Sequence, residues 1–323
     1  MSKPRVIVTR RWPEQVEAAL AEHFDVQLNR DDKAMSPADL RDAFATYDAV
    51  FSTVTDRIDA DVLSAAPLRA RLIGNFGVGF NNIDIAVAKA RDLVVTNTPD
   101  VLTDSTADLA MTLLLSVARR AGEGERHVRS GAWSGWRPTH MMGTEVTGKT
   151  LGIIGLGRIG QAVARRAHRG FRMRILFFDP FPPDEAVLQS LGAEPRATVE
   201  EVLGEADFVS VHAPATPENH HLINAERLKM MKPGAFLINS ARGDIVDEAA
   251  LCEALDAGTI AGAGLDVFEA EPRVSPGLLD RENVVLLPHL GSATRETRIA
   301  MGNKVLENAI AFFAGAAPPN RVA

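Results

Sequence analysis

The sequence predicts an α/β protein built from two parallel sheets, each covered by helices. Three observations carry that expectation. Short β-branched runs alternate with alanine-rich helical segments from end to end, the runs fall into two series, and 323 residues with 46% apolar and 24% charged side chains suffice for two cores of ordinary domain size. The first series is "RVIVT" (5–9), "DVQLN" (25–29), "AVFSTV" (49–54), "RLIGNF" (71–76) and "LVVTN" (93–97), which makes one small α/β unit. Next comes "TDSTADLAMTLLLSVARR" (103–120), opened by capping residues and apolar enough on one face to be a buried helix bridging two domains. The second series is "TLGIIG" (150–155), "ILFFD" (175–179), "DFVSVH" (207–212), "AFLIN" (235–239), "AGAGLDV" (261–267) and "NVVLLP" (283–288). Six strands make a full doubly wound sheet. A last helix in "GSATRETRIAMGNKVLENAIAFFAG" (291–315) can return to the first unit. The expected domains are therefore 1–101 completed by 292–323, and 102–291.

Composition narrows the partners. Thirty-five basic and 42 acidic side chains give a net charge of −7 with no polybasic block, so the electrostatic footprint of a nucleic-acid binder is missing and a small metabolite is expected instead. The longest apolar run, Ala107 to Ala118, contains Asp108 and Thr112 and is too short to span a bilayer, and "MSKPRVIVTRRW" holds no signal-peptide core. No membrane contact and a cytoplasmic location are expected. Cys252 is the single cysteine, which excludes an internal disulfide and a cysteine cage for a metal; within "EAALCEAL" it suits a helix packing position.

The second series opens on chemistry. In "LGIIGLGRIGQAVARRA", Gly155, Gly157 and Gly160 have the G-x-G-x-x-G spacing between an apolar strand and a helix. Such glycines permit a tight turn, backbone approach to a pyrophosphate and close helix packing, and the helix start offers free N–H groups. Asp179 ends the next strand 19 residues past Gly160, where a carboxylate accepts hydrogen bonds from the adenosine ribose. Together they predict a Rossmann dinucleotide-binding domain. Asp179 would repel a 2′-phosphate and "PFPPDEA" (180–186) offers no cation to hold one, so NAD is favoured over NADP. Arg158 either lies along the pyrophosphate or is solvated.

A nicotinamide cofactor needs a substrate clamp and a proton carrier from the protein. Arg242 follows "FLINSA", Glu271 ends "GLDVFEAE" and His289 follows "NVVLLP". Singly, each has a modest explanation: an Arg capping a helix or pairing with Asp244, a Glu in a turn before Pro272, a His bonded in a loop. All three stand at the ends of successive strands, where a doubly wound sheet gathers its ligand contacts.

These residues carry a resemblance. "GRIGQAVARRA", "INSARGDIVDEAAL", "GLDVFEAEP" and "PHLGSATRETR", with Arg, Glu and His 29 and 18 residues apart, resemble the D-isomer-specific 2-hydroxyacid dehydrogenases over nearly the whole chain. Within that family, "NFGVGFNNIDIAVAKA" (75–90), "GAWSGWRP" (131–138) and "HLGSAT" are most similar to glyoxylate/hydroxypyruvate reductases and glycerate dehydrogenases. The resemblance implies a smaller flavodoxin-like substrate domain beside the Rossmann domain. It implies that Arg242 forks its guanidinium onto the carboxylate and keto oxygen of a 2-oxo acid. Hydride comes from NADH, protonated His289 supplies the proton, and Glu271 holds the imidazole and favours its charged form. No metal is implied.

The resemblance also implies substrate contacts from the backbone N–H groups of the loop Gly77 to Gly79, with Val78 and Gly79 foremost, and from Ser292 and Arg295; the loop could also be a plain glycine turn, and Arg295 could pair with nearby glutamates. Cofactor contacts are implied for Thr106, Ile159, Pro180, His212, Pro214, Ala241, Asp266 and Gly291. Thr106 could equally be a helix cap and Asp266 a structural carboxylate. An irregular arm, Gly122 to Gly148, carries Trp133 and Trp136 and implies a homodimer formed through the dinucleotide-binding domain. Phosphite dehydrogenases resemble the chain but have a lysine where Val78 stands. Dehydrogenases of D-lactate, phosphoglycerate or bulkier D-2-hydroxy acids, and an NADH-sensing co-repressor-like scaffold, remain as alternatives.

Overall fold

Parallel strands cannot be joined by a two-residue turn, so each strand must be followed by a segment that carries the chain back along the sheet. The computed structural model, which describes residues 2–323, shows that alternation throughout. Its first elements are β1 (Arg5–Val8), α1 (Glu14–His23), β2 (Asp25–Gln27), α2 (Pro37–Thr46), β3 (Ala49–Thr53), β4 (Leu72–Phe76), α3 (Ile85–Ala90) and β5 (Val94–Thr96). There follow α4 (Thr103–Ala118), α5 (Ala121–Arg129), β6 (Thr150–Ile154), α6 (Arg158–Phe171), β7 (Arg174–Phe178), α7 (Glu185–Leu191), β8 (Ala193–Pro195), α8 (Val199–Glu205) and β9 (Phe208–Val211). The chain ends with α9 (Ala225–Met230), β10 (Phe236–Asn239), α10 (Glu248–Asp256), β11 (Gly262–Leu265), α11 (Pro276–Leu279), β12 (Val284–Leu286) and α12 (Arg295–Phe313). Two compact units result: Met1–Leu102 with Ala293–Ala323, and Thr103–Ser292.

The first unit holds a five-stranded sheet in the order β2-β1-β3-β4-β5, parallel throughout. That is the flavodoxin-like order. Alternate residues of each strand serve opposite faces. Val6, Val8, Phe51 and Leu72 pack with Met301 and Val305 of α12 on one side, while Ile7, Val50 and Ile73 pack with Leu40 and Phe44 of α2 on the other. Gly74 lets α12 come close, for a Cβ there would stand 2.7 Å from Val305 Cγ1.

The second unit holds a parallel sheet ordered β12-β11-β10-β9-β6-β7-β8. Strand order reverses between β6 and β9, the switch point at which doubly wound sheets bind ligands. On one face α4 and α6 cover Leu151, Ile153, Phe208 and Ile238; on the other, α8, α9 and α10 cover Ile154, Val209, Val211 and Leu237. Burying each of these large side chains contributes about 1.5–3 kcal/mol. Among the described residues no helix is long and apolar enough to cross a membrane.

Two expectations need correction. The sheet has a seventh strand, β8, at its edge beyond β7; its residues, Ala-Glu-Pro, lack the β-branched signature, and proline is tolerated there because an edge strand has an unpaired side. The arm is not irregular throughout, because α5 occupies Ala121–Arg129. Its glycines suggest a break, but Glu125 and Arg129 pair one turn apart and basic residues fill the last turn, where they favour a helix end.

Candidate active site

At the switch point the chain turns sharply. β6 ends at Ile154, and Gly155 takes φ +93°, with its missing Cβ 2.8 Å from the carbonyl of His212 beyond β9. Only glycine fits that turn. Gly160 is held as tightly, a Cβ there lying 2.3 Å from Gly155 O, which lets α6 pack against the turn. At Gly157 the opposite holds, since a Cβ would meet nothing within 4 Å. α10 and α12 begin with side-chain caps from Asp247 and Thr294, whereas α6 begins at Gly157 with none. First-turn N–H groups beside open space suit a pyrophosphate.

Asp179, after β7, accepts from Leu156 N at 2.7 Å through Oδ2 and from Phe181 N at 2.8 Å through Oδ1. These bonds fix the carboxylate beside the glycine turn and leave lone pairs for hydroxyl donors. The turn, the open helix start and the oriented carboxylate together fit a dinucleotide. Arg158 is exposed and Ile159 half-buried, both within the glycine turn, and Pro180, next to Asp179, is exposed. His212 Nε2 lies 2.9 Å from Ser210 Oγ, and burial pushes the ring down to about 4, so it is neutral at neutral pH and adds no charge to the switch point. Pro214 is exposed, with its carbonyl accepting from Asn219.

Glu271 and His289 meet: His289 Nδ1 is 2.8 Å from Glu271 Oε2. Glu271 Oε1 accepts from Phe268 N at 3.0 Å, which fixes the carboxylate plane. Burial alone would raise the Glu271 carboxyl, but the hydrogen bond and charge of His289, the Phe268 N–H and the Arg242 charge prevail and hold it below the usual range. His289 has φ +53°, and its turn is tied down by Asp266. Asp266 O accepts from His289 N at 2.9 Å, Oδ1 from Leu290 N at 2.7 Å and Oδ2 from Gly291 N at 2.8 Å. Thr106 Oγ1 adds a bond to Gly291 O at 3.1 Å. Asp266 and Thr106, with two readings each from sequence, are thus engaged in bracing this turn. Burial raises the Asp266 carboxyl, against the pull of its two side-chain amide bonds.

Arg242 follows β10. Asn239, the last residue of that strand, donates to Arg242 O at 2.8 Å and accepts from Ala241 N at 3.0 Å, and Arg242 Nη1 donates to Ala241 O at 2.6 Å. Burial disfavours the guanidinium charge, which Glu271 and Asp244 support; the group nevertheless stays protonated.

Sequence reading missed what joins the Arg242 loop to the Glu271 loop. A Cβ on Gly243 would lie 1.9 Å from Phe268 C, so the two backbones touch with no room for a side chain. Beside that contact, Glu248 N donates to Glu269 Oε1 at 2.8 Å and Glu269 N donates to Glu248 Oε1 at 2.7 Å. His221 Nε2 stands 3.0 Å from Glu269 Oε1. The Arg–Gly pair was the available signal, yet the partner backbone lies 25 residues on.

Ser292 is half-buried at the end of this unit, and Arg295 is exposed at the start of α12 in the other. Val78 and Gly79 also belong to the first unit, in a loop after β4. Cys252 is partly buried in α10, where burial raises its thiol. Trp133 and Trp136 are 52% and 81% exposed. Among the described residues no cluster of His, Cys, Asp and Glu is arranged to bind a metal ion.

Comparison with known proteins gives this geometry a context. Residues 111–291 match the family model of the D-isomer specific 2-hydroxyacid dehydrogenase, NAD binding domain. A glyoxylate reductase of Korarchaeum cryptofilum is 49% identical over 99% of this chain and 96% of its own, and one of Pyrococcus furiosus is 48% identical over 99% and 95%. Among solved structures, an NADPH-dependent glyoxylate/hydroxypyruvate reductase from Sinorhizobium meliloti, in complex with NADP and malonate, superposes with a TM-score of 0.86 at 38% identity, covering 100% of this chain and 97% of that one. With relatives this similar along its whole length and a switch point shaped for a nicotinamide dinucleotide, the chain belongs to the D-isomer-specific 2-hydroxyacid dehydrogenases, a family of NAD(P)-dependent enzymes.

Proposed function

We propose that the protein reduces a small 2-oxo acid, glyoxylate or hydroxypyruvate, to the D-2-hydroxy acid with NADH, in a reversible reaction. The observation that carries this reading is the 2.8 Å contact between His289 Nδ1 and Glu271 Oε2, in a loop clamped by Gly243 to that of Arg242. A bound nicotinamide supplies the hydride. Gly155, Gly157, Gly160 and the start of α6 hold the pyrophosphate, and Asp179 takes the adenosine ribose. Arg158, Ile159, Pro180, His212, Pro214 and Ala241 line the cofactor, with Thr106, Asp266 and Gly291 on the nicotinamide side. The backbone N–H groups of Val78 and Gly79 take the substrate carboxylate, and Ser292 is a further substrate contact. Arg242 pairs with the carboxylate and polarises the keto oxygen, and protonated His289 gives its proton to the forming alkoxide. Glu271 holds the imidazole through Nδ1, so that Nε2 faces the substrate. The names of the relatives support the substrate class. Following NADH absorbance with glyoxylate, hydroxypyruvate and pyruvate side by side tests it, and no consumption with either of the first two would refute it.

The choice of NADH rests on Asp179, whose two oxygens are both oriented by backbone N–H groups. A 2′-phosphate would meet this anion, so kcat/KM should be higher with NADH than with NADPH. Asp179→Ser should narrow the gap mainly by weakening NADH, since residues 180–186 bring no cation for the phosphate. An equal or higher kcat/KM with NADPH in the unaltered enzyme would remove Asp179 from the ribose. The protein is further proposed to form a homodimer through its dinucleotide-binding unit, because tryptophans as exposed as Trp133 and Trp136 suit an interface. Light scattering should give twice the chain mass; a monomer at micromolar concentration would contradict it.

A further inference from the structure

The loop Gly77–Gly79 owes its orientation to two asparagines outside it. Asn75 Nδ2 donates to Gly77 O at 3.3 Å and to Gly79 O at 2.9 Å, and Asn97 Nδ2 donates to Val78 O at 2.9 Å. Thr98 N adds a bond to Gly77 O at 3.0 Å. All three loop carbonyls are therefore turned inward. In a planar trans peptide the N–H points opposite to the carbonyl it is bonded to. Holding Gly77 O and Val78 O inward thus turns Val78 N–H and Gly79 N–H outward, and among the described residues no backbone carbonyl accepts from either.

Both side chains are committed to this task. Asn75 is fully buried at the end of β4, and no protein donor reaches its Oδ1, an unfavourable arrangement tolerated for the sake of the amide's other end. Of the two ends of the Asn75 amide, only the NH₂ group can donate to two carbonyl oxygens. Gly77 presses the loop onto the unit, for a Cβ there would lie 2.6 Å from Val54 Cγ1. Asn97 is braced from the chain's end: its N–H donates to Asn320 O at 3.2 Å, and its carbonyl accepts from buried Asn308 of α12 at 3.4 Å. The returning segment 293–323 thereby reaches the loop through Asn97.

We propose that Asn75 and Asn97 are positioning residues for the substrate carboxylate, fixing the loop with its N–H groups outward and so setting affinity for the 2-oxo acid. They take no part in hydride or proton transfer. The inference rests on Val78 and Gly79 being carboxylate ligands, as proposed above. The test compares unaltered enzyme, Asn97→Ala, Asn97→Asp and Asn75→Ser by two readouts. One is calorimetric binding of oxalate, an unreactive planar dicarboxylate, in the presence of NADH; the other is KM and kcat with glyoxylate.

Losing one such hydrogen bond should raise oxalate Kd and glyoxylate KM about tenfold in Asn97→Ala, with kcat within about twofold and NADH affinity unchanged. Asn97→Asp should do worse, because a carboxylate oxygen would face Val78 O and turn the peptide over. Asn75→Ser, which removes the Nδ2 group shared by Gly77 O and Gly79 O and leaves Gly77 O only Thr98 N, should shift the same two quantities and supplies the comparison if the Asp variant does not fold. An unchanged oxalate Kd in folded Asn97→Ala and Asn75→Ser, or a loss of kcat at constant KM, would overturn the proposal. An unaltered enzyme that binds oxalate but reduces no 2-oxo acid would instead overturn the proposed reaction, and the oxalate series would still decide the role of the asparagines.

Discussion

Replacing His289 by Asn should lower kcat for 2-oxo acid reduction by on the order of 10²-fold or more, the usual worth of a positioned general acid. Asn is the informative substitute because His289 sits at φ +53°, a region asparagine accepts readily, so the turn tied by Asp266 is kept while the proton donor is lost. The companion variant Glu271→Gln separates charge from shape. Glu271 is held below the usual carboxylate range, so it stays ionised as pH falls through mildly acid values, and its support of protonated His289 is lost only when the carboxyl itself takes a proton. Reduction should therefore persist into mild acid and fall only where the Glu271 carboxyl, held low, takes a proton. In Glu271→Gln an acceptor remains but the anion is gone, so kcat should fall and the acid limb set by the carboxyl should disappear. An acid limb that stays in place in the Gln variant would mean that Glu271 does not support the proton donor.

Arg242→Lys should be nearly as damaging, with kcat/KM down by about 10²- to 10³-fold, comparable to losing one donor to a developing oxyanion. A lysine keeps the positive charge near Glu271 but cannot reproduce two parallel N–H donors in one plane. KM for the 2-oxo acid and kcat should both suffer, while NADH affinity, set at the β6–α6 turn, changes little. Near-normal kinetics in the Lys variant would reduce Arg242 to a residue that closes its own loop through Ala241 O, a bond of 2.6 Å.

Much of this architecture is legible in the sequence because parallel strands buried on both faces leave continuous β-branched runs, and each such run in the two series became a strand. β8 escaped because an edge strand need not be apolar, and α5 because its glycines suggest a break that its ion pairs outweigh. The glycine turn and Asp179 could be read because both lie within one β-α-β stretch, at fixed spacing. Gly243 could not: its backbone lies so close to that of Phe268 that a Cβ would stand 1.9 Å from Phe268 C, a contact between loops that only the folded sheet creates. The reciprocal pair of Glu248 and Glu269 is hidden for the same reason, since each carboxylate serves the other's backbone and neither spacing nor charge pattern reveals it. Asn75 and Asn97 look in sequence like strand-end polar residues, and only their shared aim at three consecutive carbonyls distinguishes them.

The central claim is that Arg242, Glu271 and His289 present a 2-oxo acid to a nicotinamide on the face that yields the D-hydroxy acid. Its most direct test is the configuration of the glycerate formed from hydroxypyruvate and NADH by the unaltered enzyme, read by chiral chromatography alongside the fall in NADH absorbance. D-glycerate should form in amounts equal to the NADH consumed, and product of the L configuration, or hydroxypyruvate left unreduced, would exclude this arrangement of the three residues.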